Sequence, residues 1–286
     1  MFDAVIIGAG PAGISAGLYL KRANKNVLIL YHGESQLEKA HKIDNFYGFP
    51  LGITGKDLYI NGIHQAVNLG IQVRDLEVLS IQMNEKMEYT IRTSEEEFHS
   101  KVVILATGNK KLRPNIKGVA LFEGSGVSYC AICDGFFYRK KNVVVIGSGT
   151  YAISEATELK NVTPNVTILT NGKELNGTTD IPIITKEIKE IVGEGKVSGV
   201  KFMDDTTLDV NGVFIALGEA GGVDFAKKLG IYMEKDNIVV DENMRTNIPG
   251  IYACGNVVGG LLQINKAAYE GAKAGLDAVK YINEKR

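Results

Sequence analysis

Residues 130 to 134 read Cys-Ala-Ile-Cys-Asp, two thiols separated by two residues with a carboxylate beside the second. Closely spaced thiols can close a small disulfide ring, and neighbouring groups can lower a thiol pKa. Redox exchange is therefore the leading chemistry for Cys130 and Cys133. Asp134 is placed to carry protons for a departing thiolate; its plainer role is a turn residue before Gly135. A zinc site needs four ligands, and Cys254, His32, His41, His64 and His99 lack ligand spacing to one another or to the pair. No metal site is expected. Buried structural thiols are the other alternative for the pair, and Cys254 is expected to be inert.

The dithiol lies between two glycine fingerprints. Gly8-Ala9-Gly10-Pro11-Ala12-Gly13 opens the chain, and Gly147-Ser148-Gly149-Thr150-Tyr151-Ala152 begins fourteen residues after Cys133. In the first, Gly8 permits a tight turn, Gly10 lets a pyrophosphate approach the backbone, and Gly13 lets helix pack on strand. The diphosphate would then rest on the positive end of the helix starting near Pro11. The second loop has the same pattern, with Ala152 in the third place. Its expected partner is missing: an NAD site wants an acid about 20 residues on, and an NADP site an arginine. Here the following strand ends Ile168-Leu169-Thr170-Asn171-Gly172, and only Lys173 brings a cation nearby. A flexible lysine is a poor substitute for a planar guanidinium fork. The first loop also lacks the acid, since Tyr31 takes its place. The second loop is accordingly expected to survive mainly as a scaffold.

The elements that must hold these loops repeat. Val5-Ile6-Ile7 and Val143-Val144-Val145-Ile146 are β-branched runs typical of buried parallel strands. Helical patterns follow over Ile14 to Arg22 and Ile153 to Lys160, then strands at Val27 to Leu30 and Val166 to Leu169. Val102 to Gly108 is echoed by Val213 to Gly218. The fold class is α/β, with two doubly wound Rossmann-like nucleotide-binding domains. A strand and turn over Ile248 to Gly255 and a helix over Asn265 to Asn283 most simply complete the first domain. The second is then inserted into it: residues 1–112 and 244–286 form one domain and 113–243 the other. Hinges are expected near Leu112 to Pro114 and Asn243 to Asn247. The alternative, sequential domains, would leave Gly255-Asn256 far from the first fingerprint.

Length and composition agree with two soluble domains. The 286 residues are 45% hydrophobic and 23% charged, with a net charge of -1. That balance argues against a nucleic-acid binder, and no apolar run reaches the roughly 18 residues of a membrane helix. No basic segment precedes Ala4-Val5-Ile6-Ile7-Gly8, so a cytoplasmic location is expected.

Three segments carry a family resemblance: Gly126 through Cys130, Cys133 and Asp134 to Arg139; Ile43-Asp44-Asn45-Phe46-Tyr47-Gly48-Phe49-Pro50; and Ala253-Cys254-Gly255-Asn256 followed by Gln263. Over nearly its whole length the chain resembles the low-molecular-weight thioredoxin reductases. The resemblance implies FAD in the first domain, on Gly8, Gly10, Ala12, Gly13, Gln36, Asn45, Val78, Thr107, Gly108, Gly255, Asn256, Gln263 and Ile264. It implies that Cys133 is the thiol nearer the flavin, that Cys130 attacks the disulfide of thioredoxin, and that Asp134 is the acid/base. It also implies a homodimer.

The departures cluster in the second domain. The family's His-Arg-Arg grip on the NADPH 2′-phosphate should fall near Leu169-Thr170-Asn171 and is absent. Tyr151 enters the second glycine loop, where its bulk is expected to obstruct the cofactor. Glu219-Ala220-Gly221-Gly222 replaces an Asn-containing stretch, and this domain is shortened. In the first domain Asn256 stands for Asp and Leu262 for Arg; Asn can still hydrogen-bond a ribityl hydroxyl. Retained FAD and dithiol with a lost nicotinamide site is similar to the ferredoxin-dependent flavin thioredoxin reductases. The expected function is an FAD-dependent thioredoxin-disulfide reductase fed by reduced ferredoxin, with NAD(P)H binding not expected. An NAD(P)H-dependent enzyme with a degenerate site and a non-catalytic flavin redox sensor are the alternatives. Ferredoxins are generally acidic, so basic docking runs are sought: Lys110, Lys111, Arg113 and Lys117, and Arg139, Lys140 and Lys141.

Overall fold

A computed structural model of the chain describes residues 1–108, 114–129, 131–218, 221–234 and 237–285. The opening segment forms β1 (Phe2–Ile7), α1 (Pro11–Arg22), β2 (Val27–Tyr31), α2 (Gly55–Asn68), β3 (Gln72–Asp75), β4 (Val78–Met83), β5 (Tyr89–Thr93) and β6 (Glu97–Leu105). Then come β7 (Val127–Ser128), α3 (Ala131–Asp134), β8 (Val143–Ile146), α4 (Thr150–Lys160), β9 (Val166–Leu169), β10 (Ile183–Ile184), β11 (Ile188–Glu194), β12 (Lys196–Phe202), β13 (Thr207–Asp209) and β14 (Gly212–Ile215). The chain closes with α5 (Gly222–Leu229), β15 (Met233–Glu234), β16 (Asn237–Ile238), β17 (Ile251–Ala253) and α6 (Ile264–Glu284).

The chain divides into two compact units, one of Met1–Lys110 with Gly221–Arg286, the other of Lys111–Ala220. The first unit holds parallel strands in the order β3-β2-β1-β6. β6 is long enough to serve two partners along one edge. Its Glu97–Ser100 end pairs with antiparallel β5, and its Val103–Leu105 end pairs with parallel β17. The second unit carries an all-parallel sheet, β10-β9-β8-β14-β7, and a separate antiparallel sheet, β11-β12-β13. Strands β2, β8 and β14 are buried along nearly their whole length, as continuous Val/Ile runs require when both faces of a sheet are covered.

The return from the inserted unit differs from the sequence expectation. It falls at Ala220/Gly221, not at 243/244. The physical reason lies in α5 and the hairpin β15–β16. The Gly222 N–H donates to Thr107 Oγ1 at 3.1 Å, and Asn237 packs on Gly259. Residues 243–247 are correspondingly no hinge between units. The Ala253 N–H bonds to Met244 O, and Arg245 grips Asp277 of α6 through two hydrogen bonds, 2.5 and 2.9 Å long. Leu112 and Arg113, expected at the other hinge, lie outside the described residues.

Helix α6 lies on α1 so closely that a side chain at either of two α6 positions would strike backbone. A Cβ at Gly271 would come within 2.0 Å of Ala12 O, and one at Gly275 within 2.6 Å of Ala16 O. With Ala267, Ala274 and Ala278 these make a small-residue face on α6, buried against the core. At its far end Asp277 accepts from Arg245 and from the Tyr252 hydroxyl. Burial raises the Asp277 pKa, but those hydrogen bonds outweigh it and hold the carboxyl below its ordinary value.

Two outcomes follow from this seam. Alanine at Gly271 gains about 1 kcal/mol of helix propensity but must displace backbone, which costs about 1–3 kcal/mol. Gly271→Ala should therefore lower stability in urea denaturation; an equal or higher midpoint contradicts the seam. Asp277→Asn should cost about 2 kcal/mol at pH 7. A carboxyl depressed in the folded state stabilises above its unfolded pKa and loses that effect as pH falls through the folded one, so the gap should begin to shrink below about pH 4. A gap that stays undiminished down to the lowest pH at which the chain remains folded contradicts the assignment.

Candidate functional site

In the first unit, the loops after β1, β6 and β17 leave the carboxyl edge of the sheet together. The Gly8 N–H bonds to Leu30 O and the Ala106 N–H to Ile7 O, so the β1 turn is held between β2 and β6. Gly8 has φ +114°, and a Cβ there would sit 2.2 Å from Ala106 O. Gly13 presses on the same turn, its missing Cβ 1.9 Å from Gly8 O. Gly10 and Gly108 are different: a Cβ on either would meet nothing within 4 Å. That open space borders the α1 N-terminus, where the N-cap Gly10 brings no side-chain acceptor and no acid occupies the first turn. Uncapped N–H groups with glycine-lined room above them fit a diphosphate.

The remaining first-unit residues gather around this edge to different degrees. Gly255, at φ +81°, follows β17 and brings its Cα against Ala12, where a Cβ would meet the Ala12 Cβ at 2.9 Å. Asn256 is the next residue, and Gln263 is the N-cap of α6 ahead of Ile264. Asn45 joins them: its Nδ2 donates to Gln263 Oε1 at 3.3 Å, and its carbonyl accepts from Asn265 at 3.5 Å. Thr107 carries the bond from Gly222. Val78 is buried at the start of β4, just after Leu76, whose N–H bonds to Tyr31 O at the end of β2. Gln36 is exposed in a short 3-10 turn capped by Ser35 and Glu38. The Cys254 thiol is fully buried in this unit. Burial first, and the Glu270 carboxylate second, push its pKa up and keep it protonated.

Four neighbours of the candidate site residues carried no motif. Lys266 and Glu270 bond the backbone at Gly255; the Lys-x-x-x-Glu spacing reads in sequence as an ordinary helix-surface pair. In the second unit Glu155 of α4 is buried and accepts the Ala131 N–H at 2.9 Å, tying α4 to the start of α3. Asp134, the last residue of α3, accepts a 2.6 Å bond from the Ser128 hydroxyl at the end of β7. Cys130 lies outside the described residues; Cys133 falls within α3, and its side chain is outside them. After α3, Phe136 and Phe137 stand 61% and 68% exposed, with the Arg139 guanidinium over Phe136 at 4.2 Å.

The second glycine loop keeps its turn, and at Gly149, the counterpart of Gly10, a Cβ would meet only Gly218 O, at 3.6 Å. Gly147 is packed as Gly8 is, its missing Cβ 2.1 Å from Ala216 O. The segment after β9 then folds back on it. The Asn176 N–H donates to Ser148 O at 2.7 Å, and Gly177 lies against Ile153, where a Cβ would sit 2.7 Å from Ile153 Cδ1. Asn171 does not face a ligand: its Oδ1 accepts from Ile188 N–H at 2.7 Å. No arginine occurs between residues 140 and 244. The expectation for Tyr151 is corrected. It is 2% exposed and packs inward among Val143, Val145 and Leu159, because 151, 155 and 159 share the inner face of α4. Of the basic runs, Lys110, Lys111 and Arg113 lie outside the described residues, and Lys117 is paired with Glu190 at 2.8 Å. Lys141 donates to Phe137 O at 3.0 Å.

These features match known proteins along the whole chain. The family described as pyridine nucleotide-disulphide oxidoreductase matches residues 2–271. Thioredoxin reductase of Listeria innocua is 33% identical over 304 residues, 99% of this chain and 95% of that protein. The atypical thioredoxin reductase TRi of Desulfovibrio vulgaris Hildenborough is 39% identical with a TM-score of 0.94, covering 100% of this chain and 99% of that one. A ferredoxin-flavin thioredoxin reductase from Clostridium acetobutylicum is 33% identical with a TM-score of 0.74, covering 99% and 98%. The two nucleotide-type sheets, the dithiol segment between them and this full-length similarity have one common explanation: the chain belongs to the thioredoxin reductases of the pyridine nucleotide-disulphide oxidoreductase family.

Proposed function

We propose that this chain reduces the disulfide of a thioredoxin with the Cys130–Cys133 dithiol, holds FAD in its first unit, and takes electrons from reduced ferredoxin instead of NAD(P)H. The observation that carries the choice of donor is the stretch around the second loop, where no arginine occurs between residues 140 and 244 to meet a 2′-phosphate and Asn176 is bonded back to Ser148. The open glycine edge of the first unit supports FAD there, on Gly8, Gly10, Ala12, Gly13, Thr107, Gly108, Gly255, Asn256, Gln263, Ile264 and Asn45, with Gln36 and Val78 on the β2 side. Bound FAD supplies the capacity to accept electrons singly and deliver a pair. The similar Clostridium acetobutylicum protein is a ferredoxin-flavin enzyme by name. A homodimer and a cytoplasmic location are proposed on the resemblance alone; among the described residues no helix is long and apolar enough to cross a membrane.

The exchange is a pair of displacements. The Cys130 thiolate attacks one sulfur of the thioredoxin disulfide, forming a mixed disulfide and expelling the other sulfur as a thiolate. The Cys133 thiolate then attacks Cys130 Sγ, which releases the second thioredoxin thiolate and leaves Cys130 and Cys133 oxidised. Each expelled thiolate needs a proton, and Asp134 is the group beside the pair to carry it. Ser128 holds that carboxyl from the end of β7. The NAD(P)H alternative draws on one observation: the Gly147 turn and an α4 N-terminus without a side-chain cap are retained.

Titration calorimetry with NADPH and NADH tests the donor assignment. No saturable binding is expected up to on the order of 1 mM, the upper end of ordinary substrate affinities; a micromolar Kd for either contradicts it. Cys130→Ser and Cys133→Ser should each lower thioredoxin reduction by at least about 1000-fold, as loss of a covalent nucleophile does. The visible flavin spectrum should persist in both. Retained turnover in either variant contradicts the dithiol route.

A further inference from the structure

Helix α6 turns two opposite charges inward at its first turns. Lys266 and Glu270 are only 15% and 12% exposed and pair at 3.0 Å. On a helix surface Lys before Glu is the less favourable order, and burying both adds desolvation. Helix electrostatics therefore does not account for the pair. Its other partners do. Glu270 Oε2 accepts the Gly255 N–H at 2.9 Å, while Lys266 Nζ donates to Gly255 O at 2.9 Å and also to Gly259 O.

Those atoms bracket the 3-10 turn Gly255–Val258 that follows β17. Gly255 has φ +81° and Gly259 φ +74°, and glycines carry the least intrinsic restraint on such geometry. The pair supplies the restraint from outside, one anchored atom in the peptide on either side of the Gly255 Cα. All described peptides are trans, so a Gly255 carbonyl aimed at Lys266 turns the Asn256 N–H the opposite way. The same anchoring keeps the Gly255 Cα against Ala12 at the first glycine loop.

We propose that Lys266 and Glu270 are a positioning pair for the cofactor site, fixing the Gly255–Asn256 turn in the conformation that binds FAD. The proposal rests on the FAD reading of the first unit. Neither side chain needs to touch the cofactor; they act through the backbone they hold.

The test uses the full chain stripped of flavin and titrated with FAD, followed by a redox titration of the reloaded protein. Lys266→Met and Glu270→Met should each weaken FAD binding roughly 10- to 100-fold, the range for a lost charged hydrogen bond, and shift the flavin midpoint potential. The double variant removes both charges and should lose less than the product of the two single effects. If Lys266→Met does not fold, Glu270→Met carries the test beside Glu270→Gln, whose amide oxygen can still accept from Gly255 and which should lose markedly less FAD affinity than Glu270→Met. Folded variants with lowered thermal stability but unchanged FAD Kd and potential overturn the proposal. Failure of the wild-type chain itself to bind FAD removes the cofactor reading, and the pair's role with it, a result visible without any variant.

Discussion

Helices α1 and α6 touch through backbone, and the glycine-lined edge of the first unit depends on that contact. Gly271 and Gly275 let α6 approach to the carbonyls of Ala12 and Ala16. The approach brings Gln263 and Ile264 at the start of α6 beside the start of α1, with Gly255 wedged against Ala12. A larger residue at either α6 glycine would separate segments more than 240 residues apart in sequence. Interiors are packed too tightly to absorb such a displacement locally. Lys266 and Glu270 extend the same logic from packing to hydrogen bonding, tying the α6 backbone's own first turns to the loop after β17.

The two glycine loops show how one turn can serve two ends. Gly8 and Gly147 are held alike, each with a carbonyl of the neighbouring strand's exit where a Cβ would be. What separates them is the segment that follows the second strand. After β9 the chain returns to the second loop, where the Asn176 N–H bonds Ser148 O and Gly177 lies against Ile153 of α4. In the second unit the parallel sheet still has a clear task. It sets β7 and α4 around α3, so that Ser128 meets Asp134 and Glu155 meets the Ala131 amide.

Much of this was legible in the sequence because it rests on local pattern. The β-branched runs, the glycine turns and the helix over Asn265 to Asn283 each announce themselves within a short window, and all form as expected. The inserted unit was also foreseeable, but its exit was not. α5 and the β15–β16 hairpin join the first unit through contacts such as Gly222 to Thr107, which no local signal encodes. Tyr151 misled for a related reason: its place in the loop motif was plain, while its direction depends on which face of α4 meets the sheet. Lys266, Glu270 and Ser128 were missed because their partners are backbone atoms or carboxylates brought near only by the tertiary fold.

The most direct test of the account is anaerobic thioredoxin turnover with a single electron source at a time. Reduced ferredoxin should sustain continuous reduction of thioredoxin disulfide, while NADPH and NADH at physiological concentrations should not raise the rate above background. Sustained turnover on NADPH with none on ferredoxin would contradict it.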